Sequence, residues 1–277
     1  MRTFPALTVP RALAATDDDV DLLLALVDDA RPTGVLRTET ETQVFFATIE
    51  SRNRARQLVA ESAWRDARAI DVPDEQWAER SQASIGAVRV GDIAIAPPWV
   101  TPPDAPIVVV IQPSMGFGTG HHASTRLCLW LLQRERVSGR RVADIGTGSG
   151  VLAVAAARLG AADVVGIDDD AEAIACAEDS VARNAVGDRV RLITAPLSPD
   201  LPLGRFDLVL ANLTAEVLIR LSAPLANFAA PDGALILGGI EAADADRVAE
   251  VFGRQEFEVV DRADEEGWVA MSLRRAG

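Results

Sequence analysis

The chain has 277 residues, enough for one large domain or two ordinary ones, and its 49% hydrophobic and 25% charged content is that of a soluble globular protein. Its formal net charge is −14, all 27 basic residues are arginine and tyrosine is absent. Such a chain is repelled by phosphate backbones, so a basic protein partner is expected and direct nucleic-acid binding is not. No apolar run is long enough to span a bilayer, and the first residues lack the basic-then-apolar pattern of a secretory signal, so a cytoplasmic location is expected.

In chain order, the pattern predicts a strand over residues 3–9 and a helix over 17–30. That helix opens on a Thr16 cap and acidic residues, and it carries Val20, Leu23, Leu24 and Val27 at helical spacing. Strands follow over 34–40 and 43–50, the second built on Val44, Phe45, Phe46 and Ile49. A helix over 51–62 and a strand over 66–72 complete a βαββαβ order, the split βαβ pattern of a small α+β ferredoxin-like domain. Residues 73–106 read as a joint, with a short helix over 73–83, a strand over 88–96, and Pro97, Pro98, Pro102, Pro103 and Pro106 interrupting regular structure. The chain thus divides into a domain over 1–73, a linker and lead-in strand over 74–103, and a second domain over 104–277.

From Ile107 onward strands are predicted at 107–111, 142–145, 164–167, 190–194, 206–211 and 234–238. Helices alternate with them at 125–134, 151–159, 171–184, 215–228 and 242–254. Strands apolar on both faces and separated by helices predict a doubly wound α/β sheet covered on each side. Cys128 and Cys176 lie in the helical stretches and read as packing residues, not as a disulfide.

Four segments carry chemistry. The first strand of the sheet ends in Asp144 and runs into Gly146, Gly148 and Gly150 before a helix at Val151. Such a turn lets a ligand approach the backbone and meet helix N–H groups. A dinucleotide fingerprint would place Gly or Ala at 151, where this chain has valine. Twenty residues past Gly148, Asp168 ends the second strand, where a carboxylate holds a ribose diol; the plainer alternative is an acidic loop capping the next helix, a role assigned to Asp170. Asn212 ends the fourth strand at the carboxyl edge, where ligands bind in open α/β sheets, with a helix cap as its plain alternative. The fourth segment, Gln112-Pro-Ser-Met-Gly-Phe-Gly-Thr-Gly-His-His-Ala-Ser-Thr, precedes a helix expected to be capped by Ser124 or Thr125. His121 and His122 are the only histidines, and without a cysteine or a third histidine beside them no metal site is expected.

Three of these segments closely resemble the PrmA family, the ribosomal protein L-eleven methyltransferases: Phe117-Gly-Thr-Gly-His-His-x-Ser-Thr-x-Leu-Cys-Leu, Asp144-Ile-Gly-Thr-Gly-Ser-Gly-Val-Leu-Ala and Ala211-Asn-Leu. Leu237-Gly-Gly-Ile-Glu and Gly267-Trp-Val-Ala extend the resemblance over about residues 74–277, and the first domain fits the family's substrate-recognition domain by topology alone. The resemblance implies a Rossmann-like class I methyltransferase domain, S-adenosylmethionine as cofactor, and methyl transfer to lysine and N-terminal amines of that ribosomal protein by a monomer. Another protein lysine or a small-molecule amine is the alternative acceptor. It further implies that Thr119, Asp144, Gly146, Gly148, Asp168 and Asn212 hold the cofactor, with Asp144 organising the loop and facing the methionine amino group. Asn212 also receives the acceptor amine, and Phe117 and Leu213 orient the substrate. This chain departs from the family with Ala123 after the histidine pair and with Ala195-Pro-Leu after the third strand, which leaves the adenine contact unassigned. Leu213-Thr214, in place of Pro-Pro, also departs from the type that acts on DNA bases.

Overall fold

A computed structural model describes residues 3–14, 16–38, 40–60, 62–73, 86–112, 122–196, 198 and 201–276. The chain forms two compact units, Met1–Ser84 and Ile85–Gly277.

The first unit contains β1 (Thr3–Pro10), α1 (Asp17–Val27), β2 (Pro32–Arg37), β3 (Glu41–Phe46), α2 (Ile49–Val59) and β4 (Arg68–Pro73). Its antiparallel sheet has the order β2-β3-β1-β4, so the two central strands are not joined directly, as the split βαβ pattern requires. Thr16 Oγ1 accepts from the Asp19 N–H at 3.1 Å while the Asp19 carboxylate accepts from the Thr16 N–H at 2.9 Å, a reciprocal cap that starts α1. The helix tightens into a 3-10 turn at Asp28–Ala30. β3 ends at Phe46 and α2 starts at Ile49, two residues earlier than the sequence pattern predicts, because Thr48 caps the helix by accepting from the Ser51 N–H at 3.1 Å. Leu7, Val9, Val44 and Phe46 on one sheet face bury against Leu23 and Val27 of α1 and Ala55 and Val59 of α2. The short helix expected over 73–83 lies, past Pro73, outside the described residues.

In the second unit the strand expected over 88–96 is a hairpin, β5 (Val88–Val90) and β6 (Ile93–Ala96), turning at Gly91 with φ +57°. β6 pairs in parallel with β7 (Ile107–Val110). The run at 107–111 therefore belongs to a separate three-stranded sheet, not to the large one as expected. A side chain holds it there: the Val110 N–H donates to Asn184 Oδ1 at 2.8 Å, and Asn184 Nδ2 donates to the Val110 carbonyl at 2.7 Å.

The remaining elements are α3 (Ala123–Leu132), β8 (Arg141–Ile145), α4 (Val151–Arg158), β9 (Asp163–Asp168), α5 (Ala171–Arg183), β10 (Val190–Thr194), β11 (Phe206–Asn212), α6 (Ala215–Arg220), α7 (Ser222–Phe228), β12 (Ala229–Glu241), α8 (Ala245–Gly253), β13 (Phe257–Glu265) and β14 (Trp268–Arg275). Seven strands form one sheet in the order β10-β9-β8-β11-β12-β14-β13, parallel through β12 and antiparallel beyond it. Separate apolar clusters cover its two faces, one around Leu129, Val154 and Ile236 and the other around Ile145, Phe206 and Leu237. The strand order reverses between β8 and β11, which creates the crevice where open α/β sheets bind ligands. The single helix expected over 215–228 is two, α6 and α7, broken at Leu221 ahead of Pro224, which has no N–H to continue the ladder.

Candidate active site

Three residues stand at the carboxyl ends of the adjacent strands that flank this crevice: Asp144 in β8, Asp168 in β9 and Asn212 in β11. Between β8 and α4 the chain turns through Gly146, Gly148 and Gly150, with φ of 69°, 53° and 79°, left-handed values that cost other residues strain. The Gly146 and Thr147 N–H groups both donate to the Ile167 carbonyl, at 2.8 and 3.0 Å, which ties the turn to β9. A Cβ on Gly146 would run into Leu213 Cδ2, and one on Gly150 would stand 3.1 Å from the Ala177 Cβ of α5. The loop is thus packed by Leu213 on one side and by α5 on the other, and its left-handed backbone favours glycine.

Asp144 is 1% exposed. Its Oδ2 accepts from Thr147 Oγ1 at 2.7 Å and from the Ala153 N–H at 3.0 Å, while Oδ1 is buried without a hydrogen-bond partner among the described residues. Desolvation pushes the carboxyl up to about 6, against the lowering effect of the two hydrogen bonds. An unpaired carboxylate oxygen at such depth fits an N–H or ammonium donor brought by a ligand.

Asp168 is half-buried and joins β9 to the glycine turn. One oxygen accepts from the Gly148 N–H at 2.9 Å and the other from the Asp170 N–H at 3.1 Å. Each carboxylate oxygen has a second lone pair, so two acceptor sites remain for a pair of hydroxyls. The cap of α5 is Asp170, accepting from the Glu172 N–H at 2.8 Å.

Asn212 does not cap the next helix, since Thr214 occupies that position without a side-chain bond. Its Nδ2 donates to Thr125 Oγ1 at 3.3 Å, and its Oδ1 is buried without a partner among the described residues. Leu213 follows with its N–H donating to the Gly238 carbonyl at 3.1 Å. A Cβ on Gly239, where φ is +74°, would stand 2.5 Å from the Leu213 carbonyl oxygen, and one on Gly238 would stand 3.2 Å from Asn212 Oδ1. The Gly238–Gly239 pair therefore makes room for the end of β11, a role the sequence pattern alone does not assign.

α3 begins at Ala123, and its cap is His122, not Ser124 or Thr125: the imidazole accepts from the Ser124 N–H at 3.3 Å. The same ring packs edge-on against Trp268 with centroids 4.6 Å apart, and Thr125 of the same turn meets Asn212. Phe117, Thr119 and His121 lie outside the described residues. Among the described residues no group of three or more His, Cys, Asp or Glu side chains is arranged to hold a metal ion. Cys128 is buried and Cys176 half-buried, both as free thiols.

The family model described as "Ribosomal protein L11 methyltransferase (PrmA)" matches residues 14–276. The ribosomal protein L11 methyltransferase of Pelobacter propionicus is 42% identical over 214 residues, covering 74% of this chain and 68% of that protein. The one from Thermus thermophilus is 35% identical over 264 residues, covering 95% of this chain and 98% of that protein. Among solved structures, the fold is similar to that of the ribosomal protein L11 methylase from Lactobacillus delbrueckii subsp. bulgaricus, with a TM-score of 0.64 and 29% identity, over 70% of this chain and 100% of that one.

Proposed function

The chain belongs to the PrmA family of ribosomal protein L11 methyltransferases, and on that premise we propose that it methylates lysine and N-terminal amines of ribosomal protein L11. It is an S-adenosylmethionine-dependent methyltransferase with a Rossmann-like catalytic domain. When bound, the cofactor supplies a methyl group already activated by a sulfonium leaving group.

The residues present fit that cofactor. The Oδ1 of Asp144, unpaired among the described residues, suits the methionine ammonium group, and the two unused acceptor sites of Asp168 suit a ribose diol. Thr119 is proposed as a further cofactor contact, and Phe117 and Leu213 as residues that orient the substrate. The apolar Leu213 side chain lies against Gly146 of the glycine turn.

The acceptor amine must arrive neutral, and deprotonating a lysine of ordinary pKa at pH 7 costs about 4–5 kcal/mol. A desolvated acceptor site would disfavour the ammonium form and lower that cost. The observation that carries the proposal is the buried, unpartnered Oδ1 of Asn212 beside the glycine turn. As an acceptor of an amine N–H it directs the nitrogen lone pair, and an amide cannot take up the proton, which therefore leaves to solvent. The acidity of the chain, −14 overall, favours approach of a basic protein substrate. Residues 1–73 are assigned to recognising that substrate. No described helix is long and apolar enough to cross a membrane, and a monomer acting in the cytoplasm without direct nucleic-acid contact completes the proposal.

Asn212→Ala tests it. Loss of a hydrogen bond to the reacting amine should lower turnover by about 10- to 100-fold, with the affinity for S-adenosylhomocysteine changed much less. Turnover is read from methyl transfer to purified L11 and affinity from calorimetry. A loss confined to cofactor affinity would remove Asn212 from the acceptor side, and unchanged turnover would contradict the assignment outright.

A further inference from the structure

We propose that Thr125 is a positioning residue that fixes which end of the Asn212 amide faces the acceptor amine; the inference rests on the assignment of Asn212 to that amine. The two ends of a primary amide are nearly alike in shape but opposite in chemistry: Oδ1 accepts a hydrogen bond and Nδ2 donates two. Only Oδ1 can receive an amine N–H and leave the lone pair directed outward. A flipped amide would point Nδ2–H at the lone pair itself and tie up the electrons needed for attack.

The surroundings of Asn212 select between these ends. Thr125 is 1% exposed, in the first turn of α3, and its Oγ1 takes the hydrogen bond from Nδ2 at 3.3 Å across 87 residues of sequence. On the other side Oδ1 faces Gly238, whose missing Cβ would stand 3.2 Å away, and the same Cβ would collide with Cys128 Sγ. The Cys128 thiol is fully buried, and desolvation, with the Asp144 charge behind it, keeps it protonated and a poor partner. Thr125 is thus the strong polar partner of the amide among the described residues. Threonine suits the task because its branched Cβ restricts χ1 and its hydroxyl hydrogen can turn back toward the helix, leaving a lone pair for Nδ2–H.

The test uses the full chain with S-adenosylmethionine and purified L11. Thr125→Val keeps the shape and removes the acceptor, Thr125→Ser keeps the hydroxyl, and both are combined with Asn212→Ala. Thr125→Val should lower kcat by about tenfold while the calorimetric affinity for S-adenosylhomocysteine stays within about twofold, and Thr125→Ser should recover most of the lost kcat. In the Asn212→Ala background, Thr125→Val should have no further effect, because no amide remains to orient. Wild-type kcat in Thr125→Val, or an equal loss in Thr125→Ser, would overturn the proposal. So would a Thr125→Val effect that persists undiminished in the Asn212→Ala background, which would mark a packing role. If Thr125→Val does not fold, Thr125→Ala serves in the same comparisons. Wild-type activity in Asn212→Ala alone would overturn the assignment of Asn212, and this inference with it. A loss in Asn212→Ala without one in Thr125→Val would overturn only the inference.

Discussion

At the scale of single residues the candidate site carries two buried oxygens without partners among the described residues, on Asp144 and Asn212. The Asp144 carboxyl, pushed up to about 6 by burial, holds its proton more tightly in the folded protein than in the unfolded chain, where its pKa is near 3.8. Between about pH 4 and pH 6 the folded state therefore binds more protons, and this group's contribution to stability falls as pH rises through that window. The loss is of the order of 1–3 kcal/mol. Asp144→Asn removes the titration, so the ligand-free wild type should lose thermal stability between pH 4.5 and pH 7 relative to the variant. Parallel pH profiles for the two proteins would contradict the buried charge. The same variant should weaken cofactor binding, because an amide attracts an ammonium group less than a carboxylate does. Asp144, the glycines and Asp168 are legible from spacing alone, since a strand end, a turn and a second strand end are local features. The contact between Thr125 and Asn212 is not, because it joins a helix and a strand far apart in the chain.

At the scale of elements, parallel strands buried on both faces announce themselves as unbroken apolar runs, and β8, β9 and β11 fall where such runs are found. β13 and β14 escape that logic. β13 is an edge strand that carries charged residues at Glu258, Asp261, Arg262, Asp264 and Glu265 without strict alternation, so its strand character shows only when β14 pairs with it. The run at 107–111 is apolar enough for the large sheet, but pairing of Ile107 with Ile93 and the bonds from Asn184 commit it to the small one. The Leu237-Gly-Gly-Ile-Glu segment is visible in sequence, yet its purpose is steric: the left-handed Gly239 lies under the Leu213 backbone. Gly239→Ala combines strain at positive φ with a collision against backbone atoms, which cannot swing aside as a side chain can. It should cost about 1–3 kcal/mol of stability and lower methyl transfer by displacing Asn212. A variant with unchanged melting temperature and turnover would show that β11 does not depend on that close approach.

At the scale of the whole molecule, each unit has its own buried core, around Leu7 and Phe46 in the first and around Val154 and Leu237 in the second. A chain beginning near residue 73 retains the glycine turn, Asp168 and Asn212. It should fold and bind S-adenosylhomocysteine with nearly the affinity of the full chain, yet lose methylation of L11, because remote contacts hold a protein acceptor in place. Full activity on L11 after truncation would remove the recognition role of the first unit, and an insoluble product would assign it a structural one.

Methyl transfer from S-adenosylmethionine to amines of ribosomal protein L11 can be measured directly and cleanly on this chain. It contains no lysine, so any methyl-lysine formed in a mixture of the two proteins belongs to the substrate. The full chain is incubated with isotopically labelled S-adenosylmethionine and purified L11, and both proteins are mapped by mass spectrometry. Label is expected on lysine side-chain nitrogens and the N-terminal amine of L11, with its loss in parallel with turnover in Asn212→Ala. Unlabelled L11, with the cofactor bound and its methyl group delivered to a different acceptor, would contradict it.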